Sequence, residues 1–166
     1  MKIIRIMVLS LLLSASGLAL GGIDEGAAAY KRGDYGTALR EWRPLAEDGN
    51  ADAQLNLGFM YDNGYGIPQD YKEAITWYRK AAEQGNKRAQ YNLGLMYDIG
   101  HGVLQNKVQA YMWYDIAGVP LAVNYREYVA RELTPEQVID AQRLASEWMG
   151  KHMGQAGETR TRMATR

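Results

Sequence analysis

The sequence predicts an all-α fold, a right-handed α-α superhelix of stacked helix-turn-helix units, and three observations predict it. The stretch that begins at Gly49 repeats at Gly85 with a constant offset and no insertion. Each copy carries two apolar stripes at helical spacing. A glycine- and proline-bearing segment that cannot continue a helix separates the two stripes. A fixed period in this range marks units that bury their apolar faces only by stacking on one another.

The chain opens on Lys2 and Arg5, an apolar run from Ile6 to Leu13, and the small-x-small exit Gly17-Leu18-Ala19. This pattern reads as a secretory signal peptide over 1–19, with cleavage after Ala19 or nearer Gly21 or Gly22. The run breaks at Ser14, Ser16 and Gly17, short of the ~20 residues a membrane span needs. The alternative reading is an uncleaved anchor helix. No second apolar run follows, so the mature body is expected to be soluble, in the periplasm or secreted, with no membrane insertion after signal removal.

The repeat domain is expected over 24–149, in units of about 24–45, 46–81 and 82–117 with a cap over 121–149. Residues 24–32 predict a short first helix. Asp34-Tyr35-Gly36-Thr37-Ala38 with Trp42 then carries a second-helix pattern, because Ala38 and Trp42 align with Ala74 and Tyr78. In the first full unit Ala53, Leu57, Met60 and Tyr61 form one stripe, and Ala74, Trp77, Tyr78 and Ala81 form the other. Asn63-Gly64-Tyr65-Gly66-Ile67-Pro68 lies between them. The second unit repeats this with Ala89, Leu93, Met96 and Tyr97, then Gly100-x-Gly102, then Ala110, Trp113, Tyr114 and Ala117. Asp70 with Glu73, and Asn106 with Gln109, predict capping boxes at the second helices. Asn50 and Asn86 predict caps at the first helices, each behind a helix-closing glycine, Gly49 or Gly85. Gly58 and Gly94 fall inside helices at a cost of about 1 kcal/mol each, which close approach of a neighbouring helix would offset.

Downstream, Val129-Ala130 and Leu133 fall where Leu93-Gly94 and Tyr97 lead, but the glycine loop is missing. Thr134-Pro135-Glu136-Gln137 instead predicts an N-cap, a first-position proline and a capping box. The helix after it packs Val138, Ala141, Leu144, Ala145 and Trp148, a terminal cap of the kind repeat arrays need. From Gly150 the pattern stops, and 150–166 is expected to be a disordered tail.

The run Ala53-Gln54-x-x-Leu57-Gly58-x-x-Tyr61, then Gly64-x-Gly66, then Ala74-x-x-Trp77-Tyr78-x-x-Ala81-Ala82-x-x-Gly85 resembles the Sel-one-like repeat. That family is a branch of the tetratricopeptide-repeat superfamily with a longer glycine-bearing loop between the helices. The resemblance is strong over about 46–117. It implies a scaffold that works by binding another protein or a peptide segment, through the concave face made by successive first helices. In related tetratricopeptide proteins that face is lined by positions flanking the Leu-Gly pair. Here those are Asp52, Leu55, Asn56, Phe59 and Asp62, then Arg88, Tyr91, Asn92, Leu95 and Asp98. They lie off the Ala-Leu-Tyr stripe. Asn56 and Asn92, one repeat apart, could each donate to and accept from an extended backbone or a terminal carboxylate. Arg88 is the only cation in the set. The bland alternative is that these residues are solvated surface.

Other chemistry is poorly supplied. Formal charge balances at 19 basic and 19 acidic residues. Setting aside Lys2 and Arg5 with the leader, and Lys151, Glu158, Arg160, Arg162 and Arg166 with the tail, leaves 13 basic and 18 acidic. An acidic body argues against nucleic acid and anionic membranes, which require clustered cations. With no Cys there is no disulfide or thiolate site. Beyond the leader Ser146 is the only serine, with no partner histidine near it in sequence, so a serine triad is not expected. His101, in Gly100-His101-Gly102, stands where the other unit has Tyr65 and reads as a variable loop residue rather than a metal ligand. Neither an enzyme nor a cofactor is therefore expected. The alternative is an envelope hydrolase or a carbohydrate- or peptidoglycan-binding module, which an exposed aromatic pair on the concave side would favour.

Overall fold

The computed structural model describes residues 22–164, with side chains as far as His152. The expected leader over 1–19 lies outside the described residues. Among the described residues there are eight helices and no strand. They are α1 (22–31), α2 (Tyr35–Glu47), α3 (Ala51–Asn63), α4 (Tyr71–Glu83), α5 (Lys87–Ile99), α6 (Lys107–Ala117), α7 (Pro120–Ala130) and α8 (Pro135–Ala164). Packing runs between sequence neighbours, α2 on α3, α3 on α4, α4 on α5, α5 on α6, with both α7 and α8 on α6. That pattern is an α-α solenoid.

The helix starts follow the polar residues expected to cap them. Asp34, Asn50, Asp70, Asn86 and Asn106 each accept a backbone N–H of the first turn through the side chain. Of the three expected capping boxes, Thr134 and Gln137 form the full reciprocal pair, at 2.9 and 3.3 Å. Buried Gln54 and Gln90 close the other end. Their amides donate to Ala46 O at 3.0 Å and Ala82 O at 3.1 Å, second bonds to carbonyls that already accept the Gly49 and Gly85 N–H groups at the helix ends.

The core is a chain of three clusters, each drawing on adjacent units. One joins Ala29, Ala38 and Trp42 to Ala53, Leu57 and Met60. The central one joins Ala74, Ile75 and Tyr78 to Leu93, Met96, Trp113 and Ala145. The last holds Tyr111, Tyr114, Val129 and Ala141. Tyr78, Tyr114, Leu57, Met60 and Leu93 are fully buried, each contributing about 1.5–3 kcal/mol by leaving water. No single hairpin could bury these residues alone.

Two glycine sets explain the tight spacing. A Cβ on Gly58 would lie 2.7 Å from the Tyr78 ring, and one on Gly94 would lie 2.5 Å from the Tyr114 ring. These mid-helix glycines are cavities cut for the tyrosine of the partner helix. Gly66 and Gly102 act between units. A Cβ on Gly66 would meet Tyr35 Cβ at 2.7 Å, and one on Gly102 would meet the Tyr71 carbonyl oxygen at 2.6 Å. Each glycine loop therefore docks on the first residue of the preceding unit's second helix. Tyr65 stacks on Tyr35 at 4.7 Å, and His101 stacks on Tyr71 at 4.1 Å.

One expectation is corrected. Residues from Gly150 were expected to be a disordered tail, but α8 continues through Ala164. Ala, Met, Gln, Glu, Lys and Arg, good helix formers, supply nine of the fifteen residues over 150–164, and a helix already nucleated carries the three glycines there at about 1 kcal/mol each.

Candidate functional site: the first-helix groove

The first helices α1, α3 and α5 border a cavity of about 330 Å³. Helix α3 supplies Leu55, Asn56 and Phe59, and α5 supplies Arg88 and Asn92. Helix α1 supplies Ala27, Tyr30 and Lys31, while Trp42 of α2 reaches the wall from behind. The spacing is helical: Leu55 and Phe59, like Arg88 and Asn92, stand one turn apart. Phe59 keeps 38% of its surface exposed and packs edge-on to Tyr30 at 6.1 Å. Leu55, though buried, forms part of the wall. The wall thus combines apolar surface, two amides and two cations.

Five of the ten residues anticipated for this face meet at the cavity and five do not. Asp52 is exposed, and its carboxylate accepts the Asn86 side-chain amide at 3.0 Å, tying α3 to the cap of α5. Tyr91 and Leu95 pack toward α6 and α7. The Tyr91 ring is 5.6 Å from Tyr125, and burial together with a bond to the Tyr125 hydroxyl pushes its own hydroxyl up to about 12.

Asp62 and Asp98 require the larger correction, because they face inward. Each lies one turn beyond the helix glycine, so the tyrosine lying over that glycine reaches it with its hydroxyl. Tyr78 Oη donates to Asp62 at 3.2 Å and Tyr114 Oη to Asp98 at 3.5 Å. Burial raises the Asp62 carboxyl, with the Tyr78 bond opposing. Burial also raises both tyrosines, seconded by the facing aspartates, while Asn92 and Arg88 pull Tyr78 the other way. Asp98 further accepts Lys107 Nζ at 2.6 Å, and Lys107 also pairs with Glu132 at 3.0 Å. The glycine-to-aspartate spacing recurs in both units, but it carries this inward role only once the tyrosine of the partner helix is in place.

The same comparison explains why Lys31 and Tyr30 were missed. The turn over 32–34 is four residues shorter than the loop over 64–70, so α1 falls out of the repeat's register. Allowing for that, Gly26 takes the place of Gly58, and a Cβ there would lie 2.3 Å from the Trp42 indole. Trp42 Nε1 donates to Ile23 O at 3.2 Å, doing in the first unit what the tyrosine hydroxyls do in the next two.

A second, shallow pocket of about 300 Å³ lies on α7 between Asn124, Tyr125 and Tyr128. Tyr128 is 57% exposed and Tyr125 is 37% exposed. Elsewhere among the described residues, no helix is long and apolar enough to cross a membrane.

Antiparallel helix pairs stacked in one direction, with a groove along their first helices, define a tetratricopeptide-like repeat scaffold. The profile of the Sel1 repeat matches residues 51–86 and again 87–118, starting each time at a first helix. These two Sel1 repeats, with the solved relatives below, support assignment of the chain to the Sel1-like repeat family of that superfamily. Sel1 repeats form non-catalytic scaffolds that typically mediate protein–protein interaction. Among solved structures the chain is similar to c5321, a protective antigen of uropathogenic Escherichia coli strains with an SLR fold. The identity is 32% and the TM-score 0.78, covering 92% of this chain and 33% of that one. A Sel1 repeat protein from Oxalobacter formigenes is 33% identical at a TM-score of 0.62, covering 74% of this chain and 54% of the other. The chain thus spans about a third and about half of these relatives. No curated protein matches it.

Proposed function

We propose that this protein is an exported, non-enzymatic scaffold of the bacterial cell envelope, with a regulatory role open to it, that holds an extended segment of another protein in the α1–α3–α5 groove. The observation that carries the reading is the meeting of Leu55, Asn56, Phe59, Arg88 and Asn92 around one cavity. Asn56 and Asn92 occupy the same position in successive repeats, which suits a backbone laid across both helices. The leader-like N-terminus supports export, to the periplasm or beyond the cell. Replacing Asn56, Phe59 and Asn92 together by Ala should abolish capture of the partner by cross-linking in envelope extracts, with the helical circular dichroism unchanged. Undiminished capture by the triple variant would move the site away from the groove. Fusion of the first 30 residues to a reporter that is active only outside the cytoplasm tests the export.

A second reading is a carbohydrate- or peptidoglycan-binding module. The exposed Tyr125–Tyr128 pair favours it, since such rings offer stacking faces. Retention on isolated sacculi that Tyr128→Ala abolishes would support this reading, and turnover of cell-wall fragments by purified protein would point to the hydrolase form of it.

A further inference from the structure

We infer that the segment received by this groove is acidic: an internal, extended stretch of a partner protein that places an Asp or Glu side chain between Lys31 and Arg88. This rests on the groove reading above and adds the chemistry of the occupant.

The argument is one of charge. Excluding leader and tail, acidic residues outnumber basic ones by 18 to 13, yet the two charged residues that line the cavity are both cations. Neither has an ion-pair partner among the described residues that would neutralise it before a ligand arrives. Asp52, on α3 one turn before Asn56, is engaged by the Asn86 amide. Two unpaired cations beside low-dielectric walls make a positive focus on an otherwise acidic body. Such a focus selects a complementary charge and excludes a like one. Leu55 and Phe59 provide apolar floor beside it, so the carboxylate would be flanked by an apolar side chain.

An internal stretch fits better than a chain terminus because the face does not end at the cavity. Asn124 and Tyr128 stand 36 residues after Arg88 and Asn92, on α7, where they line the second pocket. A bound segment can therefore run on along the face.

The test uses the full mature chain on an array of end-blocked random dodecapeptides, together with the same array carrying free C-termini. The bound set should be enriched in Asp or Glu next to an apolar residue, and Arg88→Glu should weaken those peptides by at least about tenfold. The Lys31→Glu/Arg88→Glu double variant should turn the enrichment toward Lys and Arg, and Arg88→Gln should fall between. Circular dichroism and melting checks that every variant is folded. Peptides bound without acidic enrichment, or unaffected by charge reversal, or held only through a free C-terminus, would overturn the inference. If the Asn56/Phe59/Asn92 triple variant still abolishes binding in those cases, the groove reading survives. No peptide bound, or binding indifferent to both sets of variants, overturns both.

Discussion

The junctions at the two ends of the array occupy equivalent places and are built from different chemistry. On the N-terminal side a glycine loop docks on Tyr35, with Gly66 against its backbone and Tyr65 stacked on its ring. The next junction repeats this with Gly102, Tyr71 and His101. At the third, the residue in the same position is Lys107, and no glycine loop follows α7. Its ammonium reaches Asp98 and the short α7–α8 turn at Glu132. Stacking with close backbone approach suits a joint that recurs, because loop and helix start are copied together. An ion pair suits a joint that ends the array, because it tolerates a shorter turn and leaves charge at the edge.

The comparison breaks most severely at Gly102. Gly102→Ala combines a left-handed backbone, at φ +72, with a methyl 2.6 Å from the Tyr71 carbonyl oxygen. A loss of about 3–4 kcal/mol in urea unfolding is expected, from strain and overpacking together. Gly85→Ala shares the positive φ, at +86, but meets open space, so about 1–2 kcal/mol is expected. Equal losses would remove the docking argument.

Alkaline pH attacks what the two full repeats share. Tyr78 and Tyr114 hold their protons more tightly folded than unfolded, because burial and the facing aspartates oppose ionisation. Their contribution is therefore whole below the unfolded value near pH 10 and is lost as pH rises past it. Together the pair should cost about 3 kcal/mol by pH 11, with their two-tyrosine share of the tyrosinate absorbance appearing only as the helical signal falls. A Tyr78→Phe/Tyr114→Phe variant that lowers the tyrosinate absorbance reached at pH 10 while the helices are intact would contradict this.

Lys107→Met strips the C-terminal junction of its cation and leaves Asp98, 7% exposed, without its ammonium partner. About 2 kcal/mol should be lost, below the value for a fully buried pair because Lys107 is itself partly solvated. The pair's signature lies in pH as well. The bonds to Asp98 and Glu132 raise the Lys107 ammonium, so its contribution also disappears only above the ordinary lysine range. The smallest effect is His101→Ala, which removes one stacked ring from a junction whose backbone contact remains. About 0.5–1 kcal/mol is expected, with no loss from Lys107→Met carried over when the two are combined.

Much of this was legible in advance. The repeat period, both helices of each full unit, their caps and the fully buried tyrosines follow from residues such as Asn50, Gly58, Asp70 and Tyr78, whose demands are local or periodic. The groove was legible by half. Asn56, Phe59, Arg88 and Asn92 could be placed by register, but Asp62 and Asp98 could not be read as inward-facing from their own helix. Their polarity suggests solvent, and only the tyrosine hydroxyl arriving from the partner helix makes burial tolerable.

The sequence by itself determined the repeating α-hairpins and the need to stack them, because helical periodicity and capping act within a few residues along the chain. Tertiary structure alone decided that Lys31 joins Arg88 at one cavity, that His101 replaces a tyrosine in a stack, and that Lys107 closes the last junction. Those partners lie on different helices, and their meeting depends on loop length and crossing geometry that no local pattern records.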